Sequence, residues 1–219
     1  MRLKVSPRAR KLRLSVEPRP RSVLLTVPRR VSRRRALAWA SEHRQWIERQ
    51  LADIPPPRPF APGEIVPVHG EPYVIDWEAG RPRRISLEAG RLVCGGPLEG
   101  LDRRILRWLK AEALAVLARE TRHYAAKTGA TLARVSVGDP VSRWGSCSSK
   151  GAIRYSWRLI LAPEFVRRAT VAHEVAHLVH LNHGPDFHAL VAELLGADPR
   201  PARAWLKGGG AALHRIGPR

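Results

Sequence analysis

Cysteine is scarce in this chain of 219 residues: Cys94 and Cys147 are the only two, and they lie far apart. Two thiols are too few for a zinc site built from cysteine, and such usage is typical of a protein from a reducing compartment. Cys147 lies inside a notable motif, but its role as a catalytic nucleophile is only a minor hypothesis.

Long apolar runs are also missing. No apolar stretch follows the charged start of the chain, so the sequence predicts no signal peptide. No segment approaches the length of a membrane span, which argues against membrane insertion. The apolar share of 44% is nevertheless ample for a core. The sequence therefore predicts a soluble, cytoplasmic protein.

Acidic residues are few, and the formal net charge is +20, with 39 Lys and Arg against 19 Asp and Glu. Residues 1–60 alone carry 16 basic and 4 acidic residues. Such a field attracts polyanions, so nucleic acid or a nucleotide is a possible partner. The alternative is compositional, with arginine filling solvated faces in a chain rich in Ala, Gly and Pro. The sequence shows no nucleic-acid-binding motif and leaves both interpretations open.

The most informative stretch is 170–188, which reads TVAHEVAHLVHLNHGPDFH. His173 and His177 are four residues apart, so a helix places both imidazoles on one face, where they can bind one metal ion. Zinc needs a third protein ligand and an open position for water. His183 is followed by a Gly-Pro pair that predicts a turn back toward the ion. Glu174 would then accept a proton from water on the metal.

Two further histidines complicate this assignment. His180 shares the helical face of His173 and His177 and is an alternative third ligand, although three rings in line on a rigid helix suit tetrahedral zinc poorly. If His180 is not a ligand, it either supports a ligand, contacts the substrate or is exposed to solvent. His188 lies in the following helix and is also near enough to contact the site or the substrate.

The first part of the chain predicts a β-rich module with one helix, over residues 1–97. The predicted helix begins at Ser32 and runs to about Asp53, with Leu37, Ala40, Trp46, Ile47 and Leu51 facing inward. Alternating or β-branched segments between turn residues predict the strands of this module. These strands are expected at 11–17, 22–27, 65–70, 72–77, 83–88 and 91–94.

Residues 98–219 predict a second, metal-binding catalytic domain. A helix over 102–128 is expected to be scaffold. The metal helix should run from Pro163 to about Leu181, and its apolar face, opposite the histidines, consists of Phe165, Ala169, Ala172, Ala176 and Val179. One of the strands could offer a free edge that pairs with an extended peptide. The other elements are expected as strands at 132–138, 141–147 and 152–161 and as helices at 185–195 and about 200–207.

Several motifs resemble the YgjP-like family of metallopeptidases, which is related to the SprT-like and WLM-type zinc proteases. They are Arg143-Trp144-Gly145-Ser146-Cys147, Asn182-His183 and Phe187, and the resemblance extends over most of the chain. It implies an α+β, zincin-like fold, Zn²⁺ on His173, His177 and His183, and a catalytic Glu174. Family members often have Leu where Val175 stands and Trp where His188 stands, which leaves the role of His188 open.

Three residues outside the histidine motif are candidates for contacts with substrate or transition state. An arginine near a metal, such as Arg143, can polarise a carbonyl or bind a phosphate. Trp144 is a possible substrate contact, and Tyr155 could stabilise an oxyanion. The competing interpretation is structural, with Arg143 paired to a carboxylate and Trp144 packed in the core.

The leading hypothesis is a zinc-dependent metallopeptidase that acts on a polypeptide substrate, with Glu174 as general base. One alternative keeps the metal but is a phosphohydrolase of nucleotides or other phosphorylated molecules, favoured by the positive charge and by Arg143. Another is a DNA-associated protein whose zinc is mainly structural, although an open coordination position and an intact Glu174 argue against it.

Overall fold

The computed structural model describes residues 1–17, 22–52 and 58–217. The chain packs as two compact units, residues 1–57 and residues 58–218. Sequence analysis placed its boundary between residues 97 and 98 instead. The difference arises because the strands between 65 and 94 share one hydrophobic core with the helix that follows them: Val66, Ile75 and Leu92 pack in the same cluster as Ile105 and Leu109.

The smaller unit contains a three-stranded sheet and two helices. Strand β3 lies in the centre, with β1 parallel to it and β2 antiparallel. Leu25 and Val27 alternate toward a small core that Ala36 and Ala40 complete. The neighbouring strands β2 and β3 were predicted, whereas β1 was not. The elements are β1 (Arg2–Ser6), β2 (Arg13–Glu17), β3 (Ser22–Pro28), α1 (Arg33–Glu42) and α2 (Arg44–Ala52).

The single helix predicted for this unit is two helices. Ser32 caps α1, as expected, since its hydroxyl accepts a hydrogen bond from the Arg35 backbone N–H. The first helix ends at His43, whose backbone N–H bonds back to Ala40. Leu37 and Trp46, predicted to face inward, are each 38% exposed. The predicted end of the helix at Asp53 lies outside the described residues.

The larger unit begins with a four-stranded sheet in the order β4-β5-β7-β6. Strands β4 and β6 are antiparallel to their neighbours, and β5 and β7 are parallel. The long helix α3 follows and buries Leu101, Ile105, Leu109 and Leu117, consistent with the predicted scaffold role. The elements are β4 (Ile65–Val68), β5 (Glu71–Trp77), β6 (Ser86–Glu88), β7 (Arg91–Cys94) and α3 (Leu101–Thr128).

The remainder of the larger unit carries the predicted site. Its sheet has the order β8-β10-β9, with β8 parallel to β10 and β9 antiparallel. A 3₁₀ helix, Trp157–Leu161, replaces the second half of the strand predicted at 152–161. The elements are β8 (Arg134–Gly138), β9 (Gly145–Cys147), β10 (Ala152–Ser156), α4 (Glu164–Ala176), α5 (Pro185–Leu195) and α6 (Arg200–Leu213).

Buried Arg158 explains why the chain turns out of the sheet at the 3₁₀ helix. Its guanidinium group forms two hydrogen bonds with the carboxylate of Asp139 and donates to the carbonyls of Leu213 and Ile216 at 2.7 and 2.6 Å. These bonds fix the end of α6. Beside them, the Arg58 N–H donates to the Arg215 carbonyl, and the Gly217 N–H donates to the Arg58 carbonyl.

Two helix ends differ from the predictions. The metal helix ends at Ala176 rather than Leu181. In its predicted apolar face Ala169, Ala172 and Ala176 are buried, whereas Phe165 and Val179 are 48% and 46% exposed. The last helix continues through the glycine triplet at 208–210. Gly210 allows this close packing, because a Cβ there would lie 2.9 Å from the Trp144 ring.

The mixed class of the fold, with several small sheets and helices, is as predicted; its zincin-like arrangement stays a prediction. Across the part of the chain that the structure describes, no helix combines the length and the apolar character that a bilayer crossing requires.

Candidate metal centre

His173, His177 and His183 come together at one point of the larger unit. One potential ligand atom from each lies within 4.8 Å of the other two. The Nε2 atoms of His173 and His183 are 3.3 Å apart. The two histidines predicted from helical spacing and the one predicted from the following turn therefore meet, although ten residues separate the first from the last.

The end of helix α4 produces this arrangement. His173 lies in the last turn of the helix, and His177 is its C-cap residue. The backbone then tightens, with N–H groups of Leu178 and Val179 bonding three residues back. The chain reverses through Gly184, where α5 begins with a proline in its first turn, and this reversal returns His183 to the helix.

His180 contributes its backbone rather than its ring. The Nδ1 of His177 lies 3.0 Å from the His180 carbonyl oxygen, which makes Nδ1–H the donor. The lone pair of His177 is consequently on Nε2, the atom left free for a metal. His180 as a third ligand is not part of this arrangement, because its ring is outside the cluster.

Phe187, in the first turn of α5, is fully buried against all three rings. Its ring centroid lies 4.9, 4.6 and 4.7 Å from those of His173, His177 and His183. Such edge and tilted contacts fix ring orientation. Phe187 is therefore a supporting residue of the centre; it entered the sequence analysis only as part of the resemblance.

Burial lowers the pKa of two of the three imidazoles, those of His173 and His177. Burial lowers the pKa of His173 to about 4, with smaller effects from His177, His183, Arg203 and His188. Burial also lowers the pKa of His177, against the raising effect of its bond to the His180 carbonyl. Neutral imidazoles are the form that binds metals.

The three side chains fit a divalent metal ion. Two imidazole nitrogens at 3.3 Å repel each other if both present lone pairs, and a shared cation removes that repulsion. Imidazole donors suit zinc and other late first-row metals. Three protein ligands also leave a position open for water or substrate, as in catalytic rather than structural sites.

Glu174 lies beside the cluster and is almost fully buried, at 6% exposure. Burial raises the pKa of its carboxyl to about 7, while the charge of Arg143 acts in the opposite direction. A carboxyl with a pKa near neutrality can both accept and return a proton at physiological pH. The role of Glu174 as general base stays a prediction.

Gly145 makes room for this carboxyl. A Cβ at Gly145 would lie 2.5 Å from Oε1 of Glu174 and 2.6 Å from its Cγ, closer than any side chain tolerates. The glycine of β9 and the glutamate of α4 are therefore matched in shape. Sequence analysis assigned Gly145 no role, and the only signal was its place in the Arg143–Cys147 motif.

Two recesses meet at His173 and Glu174. The α6 recess, of about 370 Å³, extends toward Trp144 and the residues of α6 that face it, including Arg203. The loop recess, of about 500 Å³, extends along β9 toward Cys147 and His183. Burial raises the pKa of the Cys147 thiol, with a smaller effect of Glu174, which disfavours a nucleophilic thiolate.

The remaining predicted contacts divide into those that line the recesses and those that do not. Arg143 lines both recesses, and Trp144 lines the α6 recess and stacks on His214 at 5.0 Å. Exposed His188 has its ring centroid 6.4 Å from that of His183. Its Nδ1 lies 3.4 Å from an Arg203 guanidinium nitrogen.

Tyr155 lies elsewhere. Its side chain is fully buried, and its hydroxyl lies 3.0 Å from that of Thr121. The predicted oxyanion contact is not part of this arrangement, because Tyr155 points into the core beneath the sheet. Arg203, in contrast, lines the α6 recess. Sequence analysis assigned it no role, and the only signal was its place in the stretch 203–206, which resembles the end of the family domain.

Three convergent imidazoles next to a buried carboxyl and a cleft are features of metal-dependent hydrolases. The family model for the YgjP-like metallopeptidase domain matches residues 10–208. The chain therefore belongs to the YgjP-like metallopeptidase family, as the sequence motifs indicated. No curated protein and no solved structure matches the chain.

Proposed function

We propose that the protein is a zinc-dependent peptidase in which Glu174 is the general base. The observation that carries this proposal is the convergence of His173, His177 and His183 beside the buried carboxyl of Glu174. Membership of a metallopeptidase family supports peptide bonds as the target. Zinc is the metal that best suits three imidazole ligands and an open position.

His173, His177 and His183 would hold the zinc ion, which would supply Lewis acidity toward a carbonyl oxygen and toward water. Glu174 accepts the proton of the attacking water and returns it to the leaving amine. Its raised pKa, about 7, favours both transfers. Gly145 holds the carboxyl in place through shape, and Arg143 contributes positive charge at the same point.

Strand β9 offers the substrate a binding edge. In the described sheet it pairs with β10 on one side and has no strand on the other. Residues 145–147 line the loop recess together with His173, Glu174 and His177. An extended peptide that pairs with this edge would bring a backbone carbonyl next to the three histidines. The free edge of β9 therefore supports it as the peptide-binding strand, a role that the sequence left open among several strands.

The test is degradation of an unfolded protein by wild type and by Glu174→Gln, each with and without single-stranded DNA. Glu174→Gln should keep its zinc, measured by elemental analysis, but lose turnover by at least about a hundredfold. Glu193→Gln is the matched control, because Glu193 is exposed on α5 and lines neither recess. Normal turnover by Glu174→Gln would exclude the mechanism.

The phosphohydrolase alternative has a distinct outcome in the same experiment. If zinc-loaded wild type cleaves no polypeptide under any condition, release of phosphate from nucleotides becomes the next measurement. Stimulation of proteolysis by DNA would instead assign a function to the positive charge. Both the nucleic acid and the nucleotide partner stay predictions.

A further inference from the structure

The α6 recess has two guanidinium groups at its rim, and they come from different elements. Arg143 lies just before β9, and Arg203 lies on α6; both side chains are exposed, and both line the recess. Among the described residues, neither forms an ion pair with a carboxylate. The hydrogen-bonding contact of Arg203 is with Nδ1 of His188, at 3.4 Å. Two unpaired cations at one small recess favour an anionic ligand.

Both charges lie close to the reacting centre. Arg143 and Arg203 line the same recess as His173 and Glu174. His173 and Glu174 are consecutive residues of α4. A ligand anion held between the two guanidinium groups would therefore lie in the recess that the candidate metal ligand and the buried carboxyl share.

The floor of the recess has the opposite character. Ala169, Val191, Ala202 and Leu206 line it, and the indole of Trp144 forms one side. An acidic side chain directed into this floor would place its charge among apolar atoms, which is unfavourable. A ligand that places an apolar side chain on the floor and a carboxylate at the rim complements both the apolar floor and the two arginines.

We propose that the α6 recess binds the C-terminal residue of a peptide, with its free α-carboxylate between Arg143 and Arg203 and its apolar side chain on the floor. This inference rests on the proposed peptidase function and narrows its substrate class to peptides that end just after the scissile bond. Hydrolysis then adds water across that bond: the hydroxyl goes to the acyl carbon, the proton goes to the amine, and one free apolar amino acid leaves.

Binding is tested by calorimetry on Glu174→Gln, which does not consume the ligand. The probes are N-acetyl-Ala-Ala-Leu as free acid, the same peptide as carboxamide, and N-acetyl-Ala-Ala-Glu-Ala-amide, whose carboxylate is on a side chain. The free acid should bind about tenfold to a hundredfold more tightly than either amide. Adding Arg143→Gln or Arg203→Gln should remove most of this preference.

Arg122→Gln is the matched control, because it removes the same charge from an exposed position on α3 that lines neither recess. It should leave the preference intact. The substitutions also separate recess binding from direct binding of a carboxylate to a metal, since the three histidines are unchanged. A preference that survives both Arg143→Gln and Arg203→Gln would overturn the proposal.

The other outcomes are equally decisive. Equal affinity for acid and carboxamide would overturn the proposal, and tightest binding of the glutamate peptide would overturn its assignment to the α-carboxylate. Mass spectrometry of the products released by wild type distinguishes failure of this inference from failure of the proposed peptidase function. Cleavage of internal bonds with no preference for a free terminus would contradict this inference but support the peptidase function. Selective binding of the acid without any cleavage would support the carboxylate-binding recess but contradict the peptidase function.

Discussion

At the scale of single residues, the contact between Gly145 and Glu174 is the most demanding part of the site. Replacing Gly145 with alanine puts a methyl carbon 2.5 Å from Oε1 of the carboxyl, so Glu174 must move. We expect Gly145→Ala to lower kcat by about tenfold to a hundredfold, because small displacements of a catalytic group have effects of that size. The measurement is turnover of an unfolded protein substrate together with zinc content, which should not change.

Gly208→Ala is the control for this experiment. It makes the same exchange at a glycine of α6 where an added Cβ meets no atom within 4 Å. Its turnover should equal that of wild type. If Gly145→Ala were as active as Gly208→Ala, Glu174 would not need the space that Gly145 provides.

The residues differ in how far the sequence could reveal them. His173, Glu174, His177 and His183 were identifiable because helical spacing and one turn place them, and both are local properties. Gly145 and Arg203 were not, because each meets the site through a contact between elements distant in sequence. Phe187 shows the intermediate case: the resemblance included it, but only packing against three rings shows what it does.

At the scale of elements, the 3₁₀ helix and the end of α6 depend on one buried side chain. Arg158→Ala removes the donors to the carbonyls of Leu213 and Ile216 and the partner of Asp139. We expect the free energy of unfolding to fall by about 3 kcal/mol, because unpaired groups remain in the core. Urea denaturation followed by tryptophan fluorescence measures this loss.

Arg158→Lys and Arg122→Ala complete the comparison. A lysine keeps the charge but cannot bond a carboxylate in two places and two carbonyls at once, so most of the loss should persist. Arg122→Ala changes only an exposed arginine of α3 and should cost less than about 0.5 kcal/mol. A loss that small for Arg158→Ala would show that its bonds do not hold the end of α6.

The same element shows why the sequence misassigned 152–161. A short apolar run reads equally as a buried strand or a buried helical turn. The run contains Arg158, which is fully buried in the structure. Its carbonyl acceptors lie 55 and 58 residues further along the chain, so the local sequence could not show that this arginine belongs to a helical turn. The helix over 185–195 was predicted correctly, because Pro185 and Gly196 mark its ends locally.

At the scale of the whole molecule, positive charge is concentrated. Five exposed arginines, Arg29, Arg30, Arg33, Arg34 and Arg35, lie within seven residues of the smaller unit, and among the described residues none has a carboxylate partner. We expect the chain to bind single-stranded DNA with an affinity that falls steeply with salt. Replacing Arg33, Arg34 and Arg35 with glutamine should reduce the slope of log K against log salt by about 2.

The control for this prediction replaces three exposed arginines of α3, Arg107, Arg119 and Arg122, with glutamine. It changes the net charge equally, so a selective effect of the first set would locate binding in the smaller unit. Equal effects of both sets would mean that only total charge matters. No binding at low salt would favour the compositional interpretation of the arginines.

The division of the chain into units lay beyond the sequence for a similar reason. A Gly-Gly-Pro at 95–97 closes a strand, and that local signal suggested a boundary. No local sequence signal shows that Val66, Ile75 and Leu92 share a core with α3, because any apolar strand can pack against any apolar helix.

The meeting of Arg58 with Arg215 and Gly217 has a topological consequence. These reciprocal backbone bonds bring the first and last described residues of the larger unit side by side, so its polypeptide path is an almost closed ring. Joining residue 217 to residue 58 through a short peptide would cost little loop entropy. The ring could then be opened at the exposed turn around Gly80, far in sequence from the histidines, to give a circular permutant in which every ligand keeps its neighbours.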